Sequence, residues 1–228
     1  MDLGKAFSYP FDDDQWVTSI LICGVLIFVP IVGWLMIGGY ALEAARNVAS
    51  GNPRPLPKWE NYGEKLRLGF NGFLIAIVYA IPIIILSVLM ACFPMFGAAT
   101  GSEEAVGMMM LLVFFCLFPL IFIISLAIQP LILAATARYL QTNSLGAAFQ
   151  VSDVVAMVRG DLGGWFILWL LQILCSLVAQ AGGVVIIGIF FTIPYAQAVF
   201  GHLLGQKLIQ LQGQAPVAYN DPYSPQQY

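Results

Sequence analysis

The sequence predicts an all-α integral membrane protein, a helical bundle of about five transmembrane helices with an additional cytoplasmic amphipathic helix. Four stretches, residues 15–42, 68–102, 105–137 and 162–206, contain no Asp, Glu, Lys or Arg. A bilayer core about 30 Å thick is crossed by roughly 20 apolar helical residues, so each stretch is long enough to span it. The composition agrees, because 60% of the 228 residues are hydrophobic and only 9% are charged, whereas soluble chains have about 25% charged residues.

Almost the whole chain belongs to this membrane region. We expect one multi-pass membrane domain over residues 1–211 and a disordered polar tail, rich in Gln, Pro and Tyr, over residues 212–228. The net charge is −3 and the nine basic residues form no dense cluster, which argues against a nucleic-acid partner. The lipid bilayer is therefore the first expected partner, and a membrane-protein partner or a second copy of the chain is the next.

The five predicted transmembrane helices cover about residues 16–46, 69–93, 107–138, 162–181 and 184–210. The last charge-free stretch is too long for a single crossing, because a helix rises about 1.5 Å per residue. We divide it at Gly182 and Gly183, since adjacent glycines disfavour helix and permit a tight turn.

The distribution of Lys and Arg predicts the side of the membrane on which each loop lies. With five crossings, Lys5 shares one side with Glu103 and Glu104. The other side holds the remaining basic residues, which are Arg46, Arg54, Lys58, Lys65, Arg67, Arg138, Arg159 and Lys207. Because basic loops face the cytoplasm, we expect a plasma (cell) membrane protein whose C-terminus is cytoplasmic and whose N-terminus is outside.

Lys5 is the exception to this rule, and it defines an alternative for the first helix. Pro30 lies in the middle of the first charge-free stretch and is followed by several glycines. If the chain turns back at Pro30, the segment is a re-entrant hairpin and Lys5 joins the other basic residues. The arm over residues 17–29 is short, however, and re-entrant backbone must be shielded by protein. A kinked helix that spans the membrane is therefore the favoured interpretation.

Residues 144–159 are neither apolar enough to cross the membrane nor polar enough for a plain loop. At helical spacings of three and four, one face presents Leu145, Ala148, Phe149, Ser152, Val155 and Arg159. We interpret this segment as an amphipathic helix that lies either on the inner leaflet or against the protein's own cytoplasmic rim.

The loop after the first helix is rich in proline, with Pro53, Pro55 and Pro57 before Trp59. Proline at these positions enforces an extended, polyproline-like backbone. Trp59 and Tyr62 are rings suited to the lipid headgroup region, and the favoured role is membrane anchoring. The alternative is a docking site for the aromatic groove of a partner protein.

Several polar side chains are predicted at membrane depth. Gln129, Gln172, Gln180 and Gln197 either line a polar path, together with Asn71, or form hydrogen bonds between helices, which is the more common role. His202, the single histidine, is a candidate for proton transfer. It has no carboxylate partner within the membrane segments and lies near an interface, which favours a solvated side chain.

Gly201 and Gly205 flank His202 in a GxxxG pattern, which permits close approach of two helices. We regard this pair as a packing or partner contact.

No pattern of an enzyme is present, because the sequence contains no HExxH, GxSxG or P-loop motif. Asp12, Asp13 and Asp14 are interpreted as an acidic cluster at a helix start, which the helix dipole favours without a metal. The four cysteines have no metal-ligand spacing and are predicted to pack as small apolar side chains. We assign no catalytic, cofactor-binding or metal-binding residue and expect no cofactor.

Several segments together resemble an uncharacterised family of bacterial and archaeal multi-pass proteins, domain of unknown function four-thousand-and-thirteen. The matching segments are YPFD at 9–12 with Trp16, GYALE at 39–43, GNPRPLPKW at 51–59, QP at 129–130, ARY at 137–139, AAF at 147–149 and HLLGQ at 202–206. The resemblance implies a prokaryotic plasma-membrane protein. It carries no assigned activity, so no catalytic residue is transferred from it.

Two hypotheses for the function follow from these observations. The first is a non-enzymatic scaffold or accessory subunit of a membrane assembly, which contacts a partner through Pro55, Pro57 and Trp59 or through the Gly201 and Gly205 face. The second is a transporter or channel for a neutral or amphiphilic small molecule, whose path is lined by the intramembrane glutamines and His202. A membrane enzyme is the least favoured alternative.

Overall fold

A computed structural model describes residues 1–99, 101–184 and 187–214, and within these ranges the chain is helical with no β-strand. The helices are α1 (Leu3–Ser8), α2 (Trp16–Leu26), α3 (Val32–Ala49), α4 (Tyr62–Ala99), α5 (Glu103–Leu112), α6 (Phe118–Thr142), α7 (Leu145–Ala148), α8 (Val151–Gly160), α9 (Leu162–Ala181) and α10 (Ile189–Gln214). A 3₁₀ turn, Tyr9–Asp12, follows α1, and a π-helical turn, Val113–Leu117, joins α5 to α6. α9 ends at Ala181, which confirms the helix end predicted at the glycine pair.

Within the described residues, three helices are long and apolar enough to cross a membrane. They are Tyr62–Ala99, the continuous helix Glu103–Thr142 and Leu162–Val184. Two further predicted spans correspond to α2 with α3 and to α10. α2 is shorter, with 11 residues. α3 and α10 are more polar, because α3 contains Glu43 and Arg46 and α10 contains several polar side chains.

The first predicted transmembrane helix is a helical hairpin. α2 ends at Leu26 and α3 begins at Val32, and between them Ile31 has a positive φ of 64°. Beyond α3, the indole N–H of Trp59 donates to the carbonyl of Ser19, 3.0 Å away. The start of α2 therefore lies beside the end of α3, and the prediction of a kinked helix through the membrane is wrong. Pro30 lies in this turn, where it lacks the N–H that a continuing helix would use.

The N-terminus contacts the middle and the C-terminal half of α10. The N–H of Asp2 donates to Oε1 of Gln206 at 2.6 Å, and the hydroxyl of Tyr9 donates to the carbonyl of Ala198 at 3.0 Å. Lys5 therefore lies with the other basic residues, and its predicted place on the opposite side is wrong. The chain therefore reverses direction once more than in the five-helix prediction, between α2 and α3.

All nine Lys and Arg residues of the sequence fall within the described residues, and they lie at one end of the bundle, which we call the basic end. Contacts connect its parts: Arg46 pairs with Glu64 at 2.8 Å and donates to Asn143 at 3.2 Å, and Lys207 pairs with Asp161. Glu103 and Glu104, in the first turn of α5, lie at the opposite end of the hairpin that α4 forms with α5 and α6.

α3 lies at the centre of the bundle and is antiparallel to α4. The two backbones touch at a pair of glycines. A Cβ atom on Gly39 would lie 1.8 Å from the carbonyl oxygen of Lys65, and one on Gly69 would lie 1.7 Å from that of Leu35. No side chain can occupy either position, so this contact requires glycine on both helices.

α10 packs in parallel on the other side of α3. A Cβ atom on Gly201 would lie 2.4 Å from the carbonyl oxygen of Ala41, and one on Gly205 would lie 2.7 Å from that of Ala45. The GxxxG pair is thus a packing contact between two helices of the same chain.

The predicted amphipathic helix is two helices, α7 and α8, separated by a two-residue break. The buried side chains are Ala148, Val154 and Val158, whereas Ser152 and Arg159 of the predicted face are exposed. The break shifts the second helix in phase, and a different face therefore turns inward.

α7 and α8 pack on the protein's own helices. Nη2 of Arg138 lies 2.5 Å from Oδ2 of Asp153, and its Nε donates to the carbonyl of Ala147 at 3.2 Å. The hydroxyl of Tyr79 donates to the carbonyl of Ala148 at 2.7 Å. These contacts agree with the second of the two predicted arrangements, in which the segment rests against the protein.

The predicted tail begins inside α10, which continues through Gln214. The rest of the predicted tail, residues 215–228, lies outside the described residues.

The glycine contact between α3 and α4 can be tested with adjacent residues of α3. We expect Gly39→Ala to lower the free energy of unfolding by about 1–3 kcal/mol, because the added methyl group overpacks the helix contact. Gly38→Ala is the matched control, since nothing lies within 4 Å of a Cβ atom there, and it should be neutral or stabilising by up to about 1 kcal/mol. Thermal unfolding in detergent measures both, and equal effects would contradict the described contact.

Candidate functional site

A cavity in two compartments lies among α3, α4, α6, α9 and α10. One compartment has a volume of about 480 Å³ and the other about 530 Å³, both within the roughly 300–1,000 Å³ of typical ligand pockets. The compartments share four lining residues, Trp34, Gln172, Gln197 and Phe200. The two compartments therefore border one another, and we call these shared residues the junction.

The compartment among α3, α4 and α6 is mostly apolar. Its lining includes Ile31, Leu35, Gly38, Ala41, Leu42, Gly69, Phe70, Gly72, Phe73, Ile132, Leu133, Thr136 and Leu204. Thr136 is the polar side chain among these, and its hydroxyl donates to the carbonyl of Ile132 at 2.8 Å. This compartment is suited to an apolar group.

The compartment between α9 and α10 is more polar. In addition to the shared residues, it is lined by Cys175, Ser176, Ala179, Gln180, Gly183, Ile189, Ile193 and Ala196. Across both compartments, no charged side chain is present among the described lining residues. The polar groups of the cavity are thus uncharged amides and hydroxyls.

Three of the four predicted intramembrane glutamines line this cavity. Gln172 and Gln197 lie at the junction, and Gln180 lies in the α9–α10 compartment. The amide oxygen of Gln172 is buried and accepts no hydrogen bond within the described part of the chain. A buried acceptor without a donor is energetically unfavourable.

The cavity opens to the side of the bundle. Trp34 of α3 is 57% exposed, Ile31 in the turn before α3 is 75% exposed, and Phe70 and Phe73 of α4 are also exposed. These large apolar side chains border the opening where, in a membrane, lipid chains lie.

Gln129 and His202 do not line this cavity. Gln129 is partly buried on α6, before Pro130. His202 is buried at the basic end, with its ring centroid 4.5 Å from that of Tyr9 and its Nδ1 3.0 Å from Nε2 of Gln206. Of the predicted intramembrane polar residues, three glutamines thus line the cavity, whereas Gln129 and His202 lie elsewhere.

His202 borders a second, polar pocket of about 470 Å³ at the basic end. The acidic side chains there have local roles: Asp2 accepts from the N–H of Lys5 at 3.0 Å, and Asp13 accepts from that of Gln15 at 2.8 Å. Among the described residues, no group of three or more His, Cys, Asp and Glu side chains is arranged to hold a metal ion.

The proline-rich loop covers the α2–α3 hairpin. The ring of Trp59 stacks on Tyr40, with centroids 5.6 Å apart and planes within 7°. Pro57 is buried, and the carbonyl of Pro55 accepts from the amide of Asn47 at 3.1 Å. The three candidate partner residues of this loop thus contact their own chain.

Two fully buried lysines are a feature that sequence reasoning did not find. Lys65 pairs with Glu43 at 2.8 Å, and its ammonium lies 5.2 Å from the ring centroid of Trp59. A buried ammonium is tolerated when it is paired, and the tryptophan face adds a cation–π contact. The sequence offers only a weak signal for this, a lysine at the margin of an apolar segment with a tryptophan nearby.

Lys207 forms the same arrangement with Asp161 and Trp165, whose ring centroid lies 4.9 Å from the ammonium. The hydrogen bond from Lys207, together with the N–H of Gly164, lowers the pKa of Asp161 below its ordinary value. The two lysines tie α10 to the start of α9 and α4 to α3.

A family model described as protein of unknown function (DUF4013) matches residues 22–201. The chain belongs to this family. The match confirms the resemblance inferred from the sequence, although the segments 9–12 and 202–206 lie outside the matched residues. No curated protein and no solved structure matches the chain. The DUF4013 match includes most of the residues that line the cavity.

The Asp161–Lys207 pair predicts a pH dependence of stability. Because the pKa of Asp161 is lowered on folding, its contribution is complete above the ordinary carboxyl pKa of about 4 and is lost as the pH falls through the lower folded value. We expect the melting temperature of the wild type to exceed that of Asp161→Asn at neutral pH and the difference to shrink below about pH 4.

The matched control is Asp14→Asn, because its pair with Arg54 is exposed, with side-chain exposures of 82% and 62%. An exposed ion pair contributes little to stability, so this variant should melt like the wild type at each pH. A constant difference for Asp161→Asn across the pH range would contradict the assigned role of the pair.

Proposed function

We propose that this protein is a non-enzymatic transporter for a neutral or amphiphilic small molecule. The observation that carries the proposal is the laterally open cavity, in which two compartments meet at Gln172 and Gln197. Ligand sites are characteristically apolar with a few polar groups that orient the ligand, and this cavity has that composition. Its uncharged lining favours an uncharged ligand, because a charge removed from water requires a counter-charge.

We further propose a topology of four full crossings, by α4, α5 with α6, α9 and α10, and a re-entrant hairpin formed by α2 and α3. α2 has 11 residues and is only about 16 Å long, which is too short to cross alone. The grouping of the basic residues at one end favours a cytoplasmic location for that end. Both Lys5 and the end of α10 then lie in the cytoplasm, and the membrane is the plasma membrane of a prokaryote.

Cysteine labelling in intact cells tests this topology. In a background without the native cysteines, we expect Glu104→Cys to react with a membrane-impermeant maleimide, whereas Lys5→Cys and Lys58→Cys should react only after permeabilisation. All three positions are exposed, so lack of reaction reports the side of the membrane. Labelling of Lys5→Cys but not Lys58→Cys from outside would contradict the hairpin, and labelling of both from outside would reverse the orientation.

The scaffold hypothesis is the second candidate. The observation in its favour is the apolar surface of the hairpin that α4 forms with α5 and α6. Only 11% of the most apolar segment of Tyr62–Ala99 and 6% of that of Glu103–Thr142 is buried. Lipid, a foreign subunit or a second copy can cover such a surface. We place this hypothesis second, since the residues expected to contact the partner, Trp59 and Gly205 among them, pack within the chain.

A variant that fills the cavity distinguishes transport from scaffolding. Gly38 lines the apolar compartment, and nothing lies within 4 Å of a Cβ atom there, so Gly38→Trp can occupy the cavity without disturbing the helix contact. We expect it to slow protein-dependent translocation of a fluorescent, uncharged glycolipid across the liposome membrane at least about tenfold. This corresponds to an activation free energy that is higher by about 1.4 kcal/mol or more. Dithionite reduction of the outer-leaflet probe measures the rate.

The matched control is Gly107→Trp on α5, where a Cβ atom also meets open space and no cavity residue is changed. It should leave the rate unchanged, and thermal unfolding should show both variants folded. Equal translocation by the two variants, together with a stoichiometric foreign subunit in the mass of the assembly purified from native membranes, would favour the scaffold instead.

A further inference from the structure

We propose that the far part of the hairpin that α4 forms with α5 and α6 is a contact surface for a second copy of this chain. We call this part the distal arm; it comprises the described residues 80–99 and 101–127. One side of the arm carries a row of exposed apolar side chains, Met110, Phe114, Phe118 and Phe122. In the dimer this row packs against the same row of the second copy.

The distal arm extends beyond the other helices. α4 has 38 residues and the continuous helix of α5 and α6 has 40, whereas α9 has 20. Contacts of Arg46 with Glu64 and Asn143 hold the hairpin at the basic end, so its extra length lies at the other end. Between the buried Tyr79 and Ile128, Gly97 alone is buried among the described residues, and it packs within the arm, against Val106.

The apolar part of this hairpin is longer than the bilayer core is thick. No Asp, Glu, Lys or Arg occurs over residues 68–102 and 105–137, and the helical part of each stretch is about 50 Å long. The hydrocarbon core measures about 30 Å. The helices would need a tilt of about 50° to fit inside it, which exceeds the range of about 0–40° for membrane helices. About 20 Å of apolar helix therefore remains outside the core.

A second copy matches this excess length. Two copies inserted in the same orientation hold their distal arms at the same depth, and the arms have the same apolar length. A two-fold axis along the membrane normal then brings the same surface of each copy together. Lipid chains do not reach side chains above the core, and a foreign subunit would need an equally long apolar segment. Mismatch of this kind favours association of helices.

A π-helical turn keeps the row straight. In a regular α-helix, residues four apart are rotated by about 40° relative to one another, so a row with that spacing winds around the helix. The π-turn Val113–Leu117 is wider, which offsets this rotation between Phe114 and Phe118. Their rings accordingly stack, with centroids 6.2 Å apart and planes at 9°. A straight row can lie along the same row of a second helix.

The distal arm has enough apolar surface for a stable dimer. Aromatic side chains bury about 150–250 Å² each, and those of the row are more than half exposed, so each offers roughly 100 Å². Other apolar side chains of the arm that are more than half exposed include Met95, Phe96, Met108, Leu111, Phe115 and Ile123. The row together with an equal number of these neighbours reaches the roughly 800 Å² per partner of a standard interface.

Cysteine cross-linking tests the row, and the chain supplies the control. Cys116 is exposed and lies midway between Phe114 and Phe118, on roughly the opposite side of the helix. In variants that retain a single cysteine, we expect Met110→Cys and Phe118→Cys to form disulfide-linked dimers with copper phenanthroline in liposomes. The variant that retains Cys116 alone should remain monomeric. Cross-linking through Cys116 as strong as through Phe118→Cys would overturn the row as the contact.

Bilayer thickness tests the physical cause. In phosphatidylcholine liposomes with myristoleoyl, oleoyl or erucoyl chains, a thicker core covers more of the distal arm. We expect the dissociation constant of the dimer, measured by energy transfer between labelled copies, to rise at least about tenfold from the shortest to the longest chains. Equal dissociation constants in thin and thick bilayers would overturn the excess apolar length as the cause, and monomers in every bilayer would overturn the dimer.

Alanine variants complete the test. Phe114→Ala with Phe118→Ala should raise the dissociation constant about tenfold in oleoyl bilayers. The matched control is Phe166→Ala with Leu170→Ala, which removes two exposed apolar side chains one turn apart on α9 and should leave it unchanged. Thermal unfolding in detergent shows that both variants are folded, and equal dissociation constants for the two would overturn the row. The result is independent of transport, because none of these residues lines the cavity.

Discussion

The contact of the central helix α3 with α4 and α10 is the constraint on which the rest of the structure depends. Gly39 and Gly69 bring two backbones together where a Cβ atom would overlap a carbonyl oxygen, and Gly201 makes a similar approach on the other face. Without a hydrophobic driving force between helices in lipid, close packing of small residues is what holds a membrane bundle together. Beside this contact, the lining of the cavity turns to larger side chains such as Phe70 and Trp34.

At the basic end, buried ion pairs connect the helices. Lys65 and Lys207 are fully buried, and each is paired with a carboxylate and covered by a tryptophan ring. Removal of one partner of such a pair would leave an uncompensated buried charge, so each pair specifies how two helices meet at the basic end. The Trp59 loop closes over one pair and over the α2–α3 hairpin, so part of the proline-rich segment contributes to packing within the chain.

The chemistry of the cavity follows from this arrangement of helices. Gln172 comes from α9, Gln197 from α10 and the apolar walls from α3, α4 and α6. Gln172 and Gln197 both border the two compartments because α9 and α10 are antiparallel neighbours. The site therefore combines an apolar compartment with hydrogen-bonding groups and a lateral opening, properties that suit an amphiphile already dissolved in the bilayer.

Local composition determined the helical membrane class and the end of α9 at the glycine pair, because both depend on residues close together in the sequence. The order of short motifs along the chain indicated the DUF4013 membership. Tertiary structure alone decided the hairpin at Pro30, since a proline can kink a helix or end it. The contacts of Trp59 with Ser19 and of Asp2 with Gln206 distinguish the two. It also decided the split of the polar residues, which placed Gln172 and Gln197 in one cavity and His202 beside Tyr9. Hydrophobic periodicity specifies depth and face within one helix, whereas a binding site depends on which helices are neighbours, and that is set by the glycine contacts and buried ion pairs.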